Sequence, residues 1–351
     1  MKHLTIGITH GDFNGIGYEI IVKALSDPRV YENNTIILYA SSRALSFYRK
    51  SLDVQKFNYT TIQNADAAHA GSINLIDCVQ GEVKVEPGIA TVEAGKAAFE
   101  ALKRAVADLK NNAIDCLVTA PINKKNINDA GFNFPGHTEY LAQEFGNPNH
   151  IMLLMNDFMK MGVVAGHVPI ADVAQYVTKE RILQKLEVLN ECMKRDFKIT
   201  KPRIAVFGLN PHAGDNGVIG SEEQNVIIPA IKAARDKGIM ALGPYAADGF
   251  FGSHEYTQFD AILGMYHDQA LAPFKATDFE SAVNYTAGLP IVRVSPGHGT
   301  AYNLANQNQA SENSLLQAIF TACDVCAARE EYDNLIRNQL KQLPVKMDKE
   351  R

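Results

Sequence analysis

The chain of 351 residues predicts an α/β fold with a mostly parallel sheet. Short runs rich in Val, Ile and Leu alternate with amphipathic helical stretches, the order that parallel strands joined by helices require. Three of these runs deliver a histidine as they stop: Met161-Gly-Val-Val-Ala-Gly-His167, Arg203-Ile-Ala-Val-Phe-Gly-Leu-Asn-Pro-His212 and Phe259-Asp-Ala-Ile-Leu-Gly-Met-Tyr-His267. Each reads as a buried parallel strand entering a loop. The length exceeds what one ordinary hydrophobic core fills, so two domains are expected.

Composition narrows the class. Hydrophobic residues at 46% and charged residues at 21% describe a soluble, enzyme-sized protein. A net charge of −5 without any Lys/Arg block argues against nucleic acid and against an anionic membrane as partners. The five cysteines, at 78, 116, 192, 323 and 326, are odd in number and scattered, which is no disulfide framework and fits a reducing cytoplasm. Cys323-Asp-Val-Cys326 has redox spacing but lies in an alanine-rich helical stretch, so it reads as packing. The first strand starts at Leu4 and leaves no room for a signal peptide; no run is long enough to span a bilayer.

In order, the strand Leu4 to Ile8 runs into Gly11-Asp-Phe-Asn-Gly15-Ile-Gly17-Tyr-Glu19 and a helical segment from Ile20. That context lets backbone N–H groups approach an anion or cofactor, and it equally suits a tight turn that needs positive φ. It is not the Rossmann fingerprint, because no acidic ribose reader follows at the expected distance. Thr35 to Ala40 reads as a strand and Ser41 to Ser51 as a helix. Thr91 to Lys110 is the clearest helix, with Ala94, Ala97, Ala98, Ala101, Leu102, Ala105, Val106 and Leu109 on one stripe. Ile114 to Ala120 is a strand ending in Pro121-Ile-Asn-Lys124. In Phe134-Pro-Gly-His137-Thr138-Glu139, Thr138 is expected to cap a short helix, which would place His137 and Thr138 where an anionic group is favoured.

Asn149 to Asn156 and Met161 to Ala165 look like paired strands, and Thr178 to Lys198 like a long amphipathic helix. Ser221-Glu-Glu opens another helix with a cap residue and acids in its first turn. Gly243 to Phe251 reads as a loop carrying Asp248. The third histidine strand runs into Pro273-Phe-Lys275, the stretch Asn284 to Arg293 follows, and Ser295-Pro-Gly-His298-Gly299-Thr300-Ala301 forms a second glycine-rich loop before a closing helix from Ser314 to Arg329. Three neutral imidazoles at strand ends could bind one divalent cation and leave positions open for substrate, as catalytic metal sites do. Taken singly, each could instead be a satisfied polar residue at a strand terminus.

Five ordered motifs carry a resemblance along nearly the whole chain: Thr119-Ala-Pro-Ile-Asn-Lys124, Gly136-His-Thr-Glu139, Gly208-Leu-Asn-Pro-His-Ala-Gly214, Met265-Tyr-His-Asp-Gln269 and Asn284 to Arg293. The chain resembles the 4-hydroxythreonine-4-phosphate dehydrogenase family of pyridoxal 5′-phosphate biosynthesis. Gly11-Asp12 to Glu19 and His298-Gly-Thr-Ala301 look like the cofactor-side loops of isopropylmalate and isocitrate dehydrogenases, whose two-domain fold that family shares. The first loop departs from the usual family form, with His10, Phe13-Asn14 and Tyr18 where prolines and alanine are common.

The resemblance implies a two-domain isocitrate/isopropylmalate dehydrogenase-like fold, not a Rossmann fold, with the active site in the interdomain cleft at a dimer interface. Residues 1–125 and 285–351 would form one discontinuous domain with the cofactor loops, and 126–284 the other. It implies His167, His212 and His267 as metal ligands, with Zn²⁺ suited to three imidazoles and Mg²⁺ or Co²⁺ as further candidates. Substrate would be bound by His137, Thr138, Lys275, Asn284 and Arg293, and NAD or NADP by Gly15, Gly17, His298, Gly299, Thr300 and Ala301. Lys275 or Asp248 would be the general acid–base group. The implied reaction oxidises C3 of 4-phosphooxy-L-threonine and then loses carbon dioxide to give 3-amino-2-oxopropyl phosphate. The homodimer would share its sites, His167 and His212 coming from one subunit and His267 from the other. Two other functions suit the same fold: oxidation of another four-carbon acid phosphate such as 4-phospho-D-erythronate, and phosphate acyl transfer, against which the histidine trio argues.

Overall fold

The computed structural model describes residues 3–54 and 57–337. Its strands are β1 (Thr5–Thr9), β2 (Thr35–Ala40), β3 (Thr60–Ile62), β4 (Ile73–Asp77), β5 (Cys116–Thr119), β6 (Ile151–Met155), β7 (Lys160–Ala165), β8 (Arg203–Phe207), β9 (Met240–Tyr245), β10 (Ala261–Tyr266), β11 (Val283–Ala287) and β12 (Val292–Pro296). They form one twelve-stranded sheet in the order β3-β4-β2-β1-β5-β12-β11-β6-β7-β10-β8-β9. The strands from β3 to β12 in that order are parallel, and so are β7, β10, β8 and β9. Between the two blocks β12–β11, β11–β6 and β6–β7 pair antiparallel, so the second block runs opposite to the first.

The sheet is therefore mostly parallel, as expected, with eight parallel pairings, and is mixed only at the three antiparallel pairings that join the blocks. The β6–β7 pair agrees with the strands read from the sequence, whereas Asn284 to Arg293 is not one stretch. It folds back across Gly288, whose φ of 90° suits glycine, into antiparallel β11 and β12. Both faces of the sheet are covered, because alternate residues of β2 enter different apolar clusters: Ile36 and Leu38 one, Ile37 and Tyr39 the other.

The helices follow their caps and stripes. The Thr91 hydroxyl accepts from Ala94 N at 3.2 Å and starts Val92–Lys110, whose buried face includes all eight residues of the predicted stripe. Thr178 does the same for Lys179–Arg195. The closing helix runs Asn313–Arg337, beyond the predicted Arg329, because its final turns continue without burying apolar side chains. Asp248 lies in the first turn of a short helix, Ala247–Gly252, rather than in a loop. No helix of the described residues is long and apolar enough to cross a membrane.

One buried polar cluster fastens the closing helix to the second block. Arg329 Nε donates to Asp196 Oδ1 at 2.7 Å and Nη2 to the Tyr285 hydroxyl at 2.9 Å; that hydroxyl donates to Asp196 Oδ2 at 2.6 Å. Removing one partner of such a pair strands a buried charge. Asp196→Ala is expected to cost about 3–5 kcal/mol in urea unfolding, whereas Asp333→Ala, which breaks the exposed pair with Arg195, should cost less than about 1 kcal/mol.

Candidate functional site

A buried cation lies where β5, β12 and β11 adjoin. Arg293 on β12 is 3% exposed. Its Nε and Nη2 donate to Thr119 Oγ1 at 3.1 and 2.6 Å, and its Nη1 donates to Thr286 Oγ1 at 3.2 Å. No ion pair of the described residues includes it, and burial pulls its pKa down to about 10 against the weaker opposing field of Glu139. A guanidinium satisfied only by hydroxyls, at a cavity, is a receptor waiting for an oxyanion. That cavity, about 200 Å³, is lined by Lys124, His137, Thr138, Glu139, His167, Asn284, Ser295 and His298 among others.

The helix His137–Glu144 begins behind Gly136, which occupies the N-cap position in extended conformation. Thr138 is therefore not the cap. Its hydroxyl meets Thr286 Oγ1 at 3.3 Å and so extends the hydroxyl chain that holds Arg293. Burial, helped by the Arg293 charge, holds the His137 imidazole well below its usual pKa, so it is neutral near pH 7. Asn284 Oδ1 is buried without a hydrogen-bond partner, an acceptor left open beside the cavity.

The three key histidines follow β7, β8 and β10, and β10 lies between the other two, parallel to both. Their carboxyl ends share one edge of the sheet. The His167 and His267 rings lie 6.4 Å apart. His267 Nδ1 is 2.6 Å from Asp268 Oδ1, the carboxylate–imidazole contact that leaves the other ring nitrogen for a metal. His167 Nδ1 is 3.8 Å from Glu139, and its Nε2 is 3.4 Å from Lys124 Nζ. His212 lines a separate cavity of about 440 Å³ with Asp248, Tyr266 and Gln269. The donor chemistry of the His167–His267 pair fits a divalent cation, but among the described residues no group of three or more His, Cys, Asp and Glu side chains is placed to hold one.

The two glycine-rich loops meet. Ile16 N donates to Thr300 O at 3.0 Å, and a Cβ on Gly15 would lie 2.7 Å from that same oxygen. A Cβ on Gly17 would lie 2.4 Å from His10 O. Gly15 serves the packing of loop on loop and Gly17 the closure of the first loop on itself, and the first loop is buried from Gly11 to Ile20. The exposed part is the second loop, where a Cβ on Gly299 would meet nothing within 4 Å. His298 Nδ1 lies 3.0 Å from Gly299 O, while its buried Nε2 has no partner.

Of the remaining predicted residues, Lys275 is exposed with its Nζ 5.8 Å from the Phe279 ring, and its charge contributes to lowering the His298 pKa after burial. Thr119, Lys124, Glu139 and Thr286 were given no role from the sequence. All four lie within the motifs quoted above, but only the fold shows that β5, β11 and the His137 helix converge on Arg293.

A family profile described as pyridoxal phosphate biosynthetic protein PdxA matches residues 32–322. The chain is 51% identical over 328 residues to a 4-hydroxythreonine-4-phosphate dehydrogenase of Bacteroides thetaiotaomicron, covering 93% of this chain and 90% of that one. Crystal structures of 4-hydroxythreonine-4-phosphate dehydrogenases are similar as well. That from Klebsiella pneumoniae has 31% identity and a TM-score of 0.77, covering 92% of this chain and 99% of its own. That from Burkholderia phymatum has 32% identity and a TM-score of 0.75, covering 93% and 99%.

His10, one of the first loop's departures from the usual form, is 0% exposed, and neither ring nitrogen makes a hydrogen bond. Its ring stacks on Tyr18 at 5.2 Å. Burial lowers its pKa from 6.5 to about 4, against weaker opposing pulls from the Ala97 backbone and Asp77. Above the unfolded value both states are neutral. Between the two values the unfolded chain takes up a proton that the folded chain refuses, so stability is lost as pH drops across that window. Wild type should lose about 3 kcal/mol more than His10→Phe between pH 6.5 and 4; parallel urea-stability profiles of the two proteins would contradict this.

Proposed function

The chain belongs to the PdxA family of pyridoxal phosphate biosynthetic proteins, and on that premise we propose that it oxidises 4-phosphooxy-L-threonine at C3 with NAD and releases carbon dioxide and 3-amino-2-oxopropyl phosphate. The observation that carries this reading is Arg293, a buried cation held by Thr119 and Thr286 and left without a carboxylate. It suits one oxyanion of a phosphorylated amino acid, with His137 and Thr138 at the same end of the cavity. The orphan Asn284 Oδ1 would accept from the substrate ammonium, with the Glu139 carboxylate lining the same cavity. Lys275 completes the cationic set and, with Asp248, is the candidate for taking the hydroxyl proton.

His167, His212 and His267 would hold the divalent cation, which supplies Lewis acidity toward the substrate hydroxyl. Asp268 fixes the His267 ring for that task. His298, Gly299, Thr300 and Ala301 would receive the nicotinamide cofactor, with Gly15 abutting that loop from behind and Gly17 closing the first loop on His10. We also infer that residues 1–125 with 285–351, and 126–284, act as two domains, a division supported by the adjacency of β1 to β5 with β12 and of β6 to β10, with the boundary falling inside β11, which pairs with both β12 and β6. In that reading the protein is a homodimer, each site completed by residues of both chains and working in the cytoplasm.

Absorbance of NADH should rise with 4-phosphooxy-L-threonine, with kcat/KM at least about tenfold above that for 4-phospho-D-erythronate. Metal-free protein should be inactive. Faster turnover of the erythronate would move the chain to the related acid-phosphate oxidation, and no NADH from either would reject a dehydrogenase.

Site sharing is read by mixing inactive His167→Ala, His212→Ala and His267→Ala chains in pairs under subunit exchange. When two lesions lie on residues that different chains give to one site, half of the mixed dimers' sites are sound and activity returns to about a quarter of wild type. Recovery in His167→Ala with His267→Ala is the expectation from the family resemblance. The 6.4 Å approach of those two rings within one chain supports recovery in the His167→Ala with His212→Ala mixture instead. No recovery in any pair would place the trio in one chain.

A further inference from the structure

The loop that carries His212 is wrapped around a single carboxylate. Glu223 is 1% exposed and opens a short π-helical turn, Glu223–Ile227. The sequence places it among acids suited to a helix N-terminus, but its side chain turns inward. Its Oε1 accepts from Leu209 N at 2.7 Å and from Asn210 N at 2.8 Å, and its Oε2 accepts from Asn210 Nδ2 at 3.0 Å. The glycines of Gly208-Leu-Asn-Pro-His-Ala-Gly214 make room for it. A Cβ on Gly214 would lie 2.5 Å from Oε2, and one on Gly208 would lie 3.1 Å from Oε1. Among the described residues no ion pair includes Glu223, and the three donors to its carboxylate all belong to this loop.

The backbone beyond is strained. His212, Ala213, Gly214, Asp215 and Asn216 have φ of 54°, 50°, 78°, 41° and 54°. Four of these are not glycine, and L-residues resist that region because Cβ crowds the following carbonyl oxygen. Such a run persists only where its surroundings dictate it. Gln269 supplies a second clamp: its Nε2 donates to Gly208 O and its Oε1 accepts from Met265 N, both at 2.7 Å, tying the loop to the strand before His267.

We propose that Glu223 is a positioning residue, whose carboxylate holds the strained Gly208–Gly214 loop in the conformation that presents His212 to a divalent cation. This rests on the reading of His212 as a metal ligand. Glu223→Gln keeps the size and one acceptor oxygen but sets an NH₂ against that of Asn210. In metal-free protein, amide exchange of the peptide spanning residues 208–217 should quicken at least about tenfold, with exchange in β1 and β5 unchanged. Calorimetric titration with Co²⁺ should show affinity about 10- to 100-fold lower. In a His212→Ala background the same substitution should cause no further loss of Co²⁺ affinity.

Unchanged exchange in that peptide overturns the proposal, and so does an equal loss of affinity in both backgrounds. If His212→Ala alone leaves Co²⁺ affinity intact, the ligand reading fails, and the exchange measurement still decides whether Glu223 holds the loop. Should Glu223→Gln not fold, Asn210→Ala removes the donor to Glu223 Oε2 together with its bond to Glu222 Oε2, while Glu222→Ala removes the latter alone; Asn210→Ala must give smaller changes of the same sign that Glu222→Ala does not reproduce, and otherwise the proposal is rejected.

Discussion

The antiparallel hydrogen bonding that joins β12 to β11 and β11 to β6 is the constraint on which the rest depends. It welds two parallel blocks of opposite direction into one sheet. It also gives β11 two faces with separate tasks, because successive side chains of a strand point to opposite sides. Asn284 and Thr286 face the cavity and Arg293. Tyr285, between them, faces away and binds Asp196 and Arg329. The anion receptor and the fastening of the closing helix are thus two sides of five residues.

Electrostatics divides the site along the same line. At the β12 side a buried guanidinium is balanced by hydroxyl dipoles alone, a state that burial opposes and an incoming anion relieves. At the β7 side carboxylates stand beside imidazoles, Glu139 near His167 and Asp268 on His267. Glu139 holds its place below the usual carboxylate range because the contact with His167 and its own backbone outweigh the burial that opposes ionisation. A small phosphorylated acid lying across the cavity would meet a cation-rich wall at one end and metal-type ligands at the other.

Much of this was legible in the sequence. The helix Val92–Lys110 shows a full apolar stripe and a capping threonine, and the β7, β8 and β10 runs are nearly continuous Val, Ile and Leu, as strands buried on both faces must be. Edge strand β3 escaped notice because three residues carry little pattern, and β4, which lies inside the sheet, escaped because Asn74 and Asp77 interrupt its short apolar run. The mixed direction of the sheet escaped because Gly288-Leu-Pro290 lies inside a stretch that otherwise reads as one run. Arg293 was visible as a candidate, but its hydroxyl cradle draws on Thr119 and Thr286, distant in sequence and chemically unremarkable alone. Glu223 was misassigned for a related reason: an acid in a first helical turn signals a dipole partner, and nothing local reveals that it has turned inward.

The second glycine-rich loop carries no Lys, Arg, Asp or Glu from His298 through Ser311, and the loop behind it is buried. A dinucleotide seated there would be gripped through shape and backbone dipoles rather than through ion pairs. The phosphorylated substrate, by contrast, would meet Arg293, Lys124 and Lys275. Because mobile ions screen exposed charges over about 10 Å at moderate salt, ionic strength acts unequally on the two ligands. Capture of an acid phosphate there would weaken as salt rises while the hold on a dinucleotide would persist, so saturation by one ligand would be decoupled from saturation by the other.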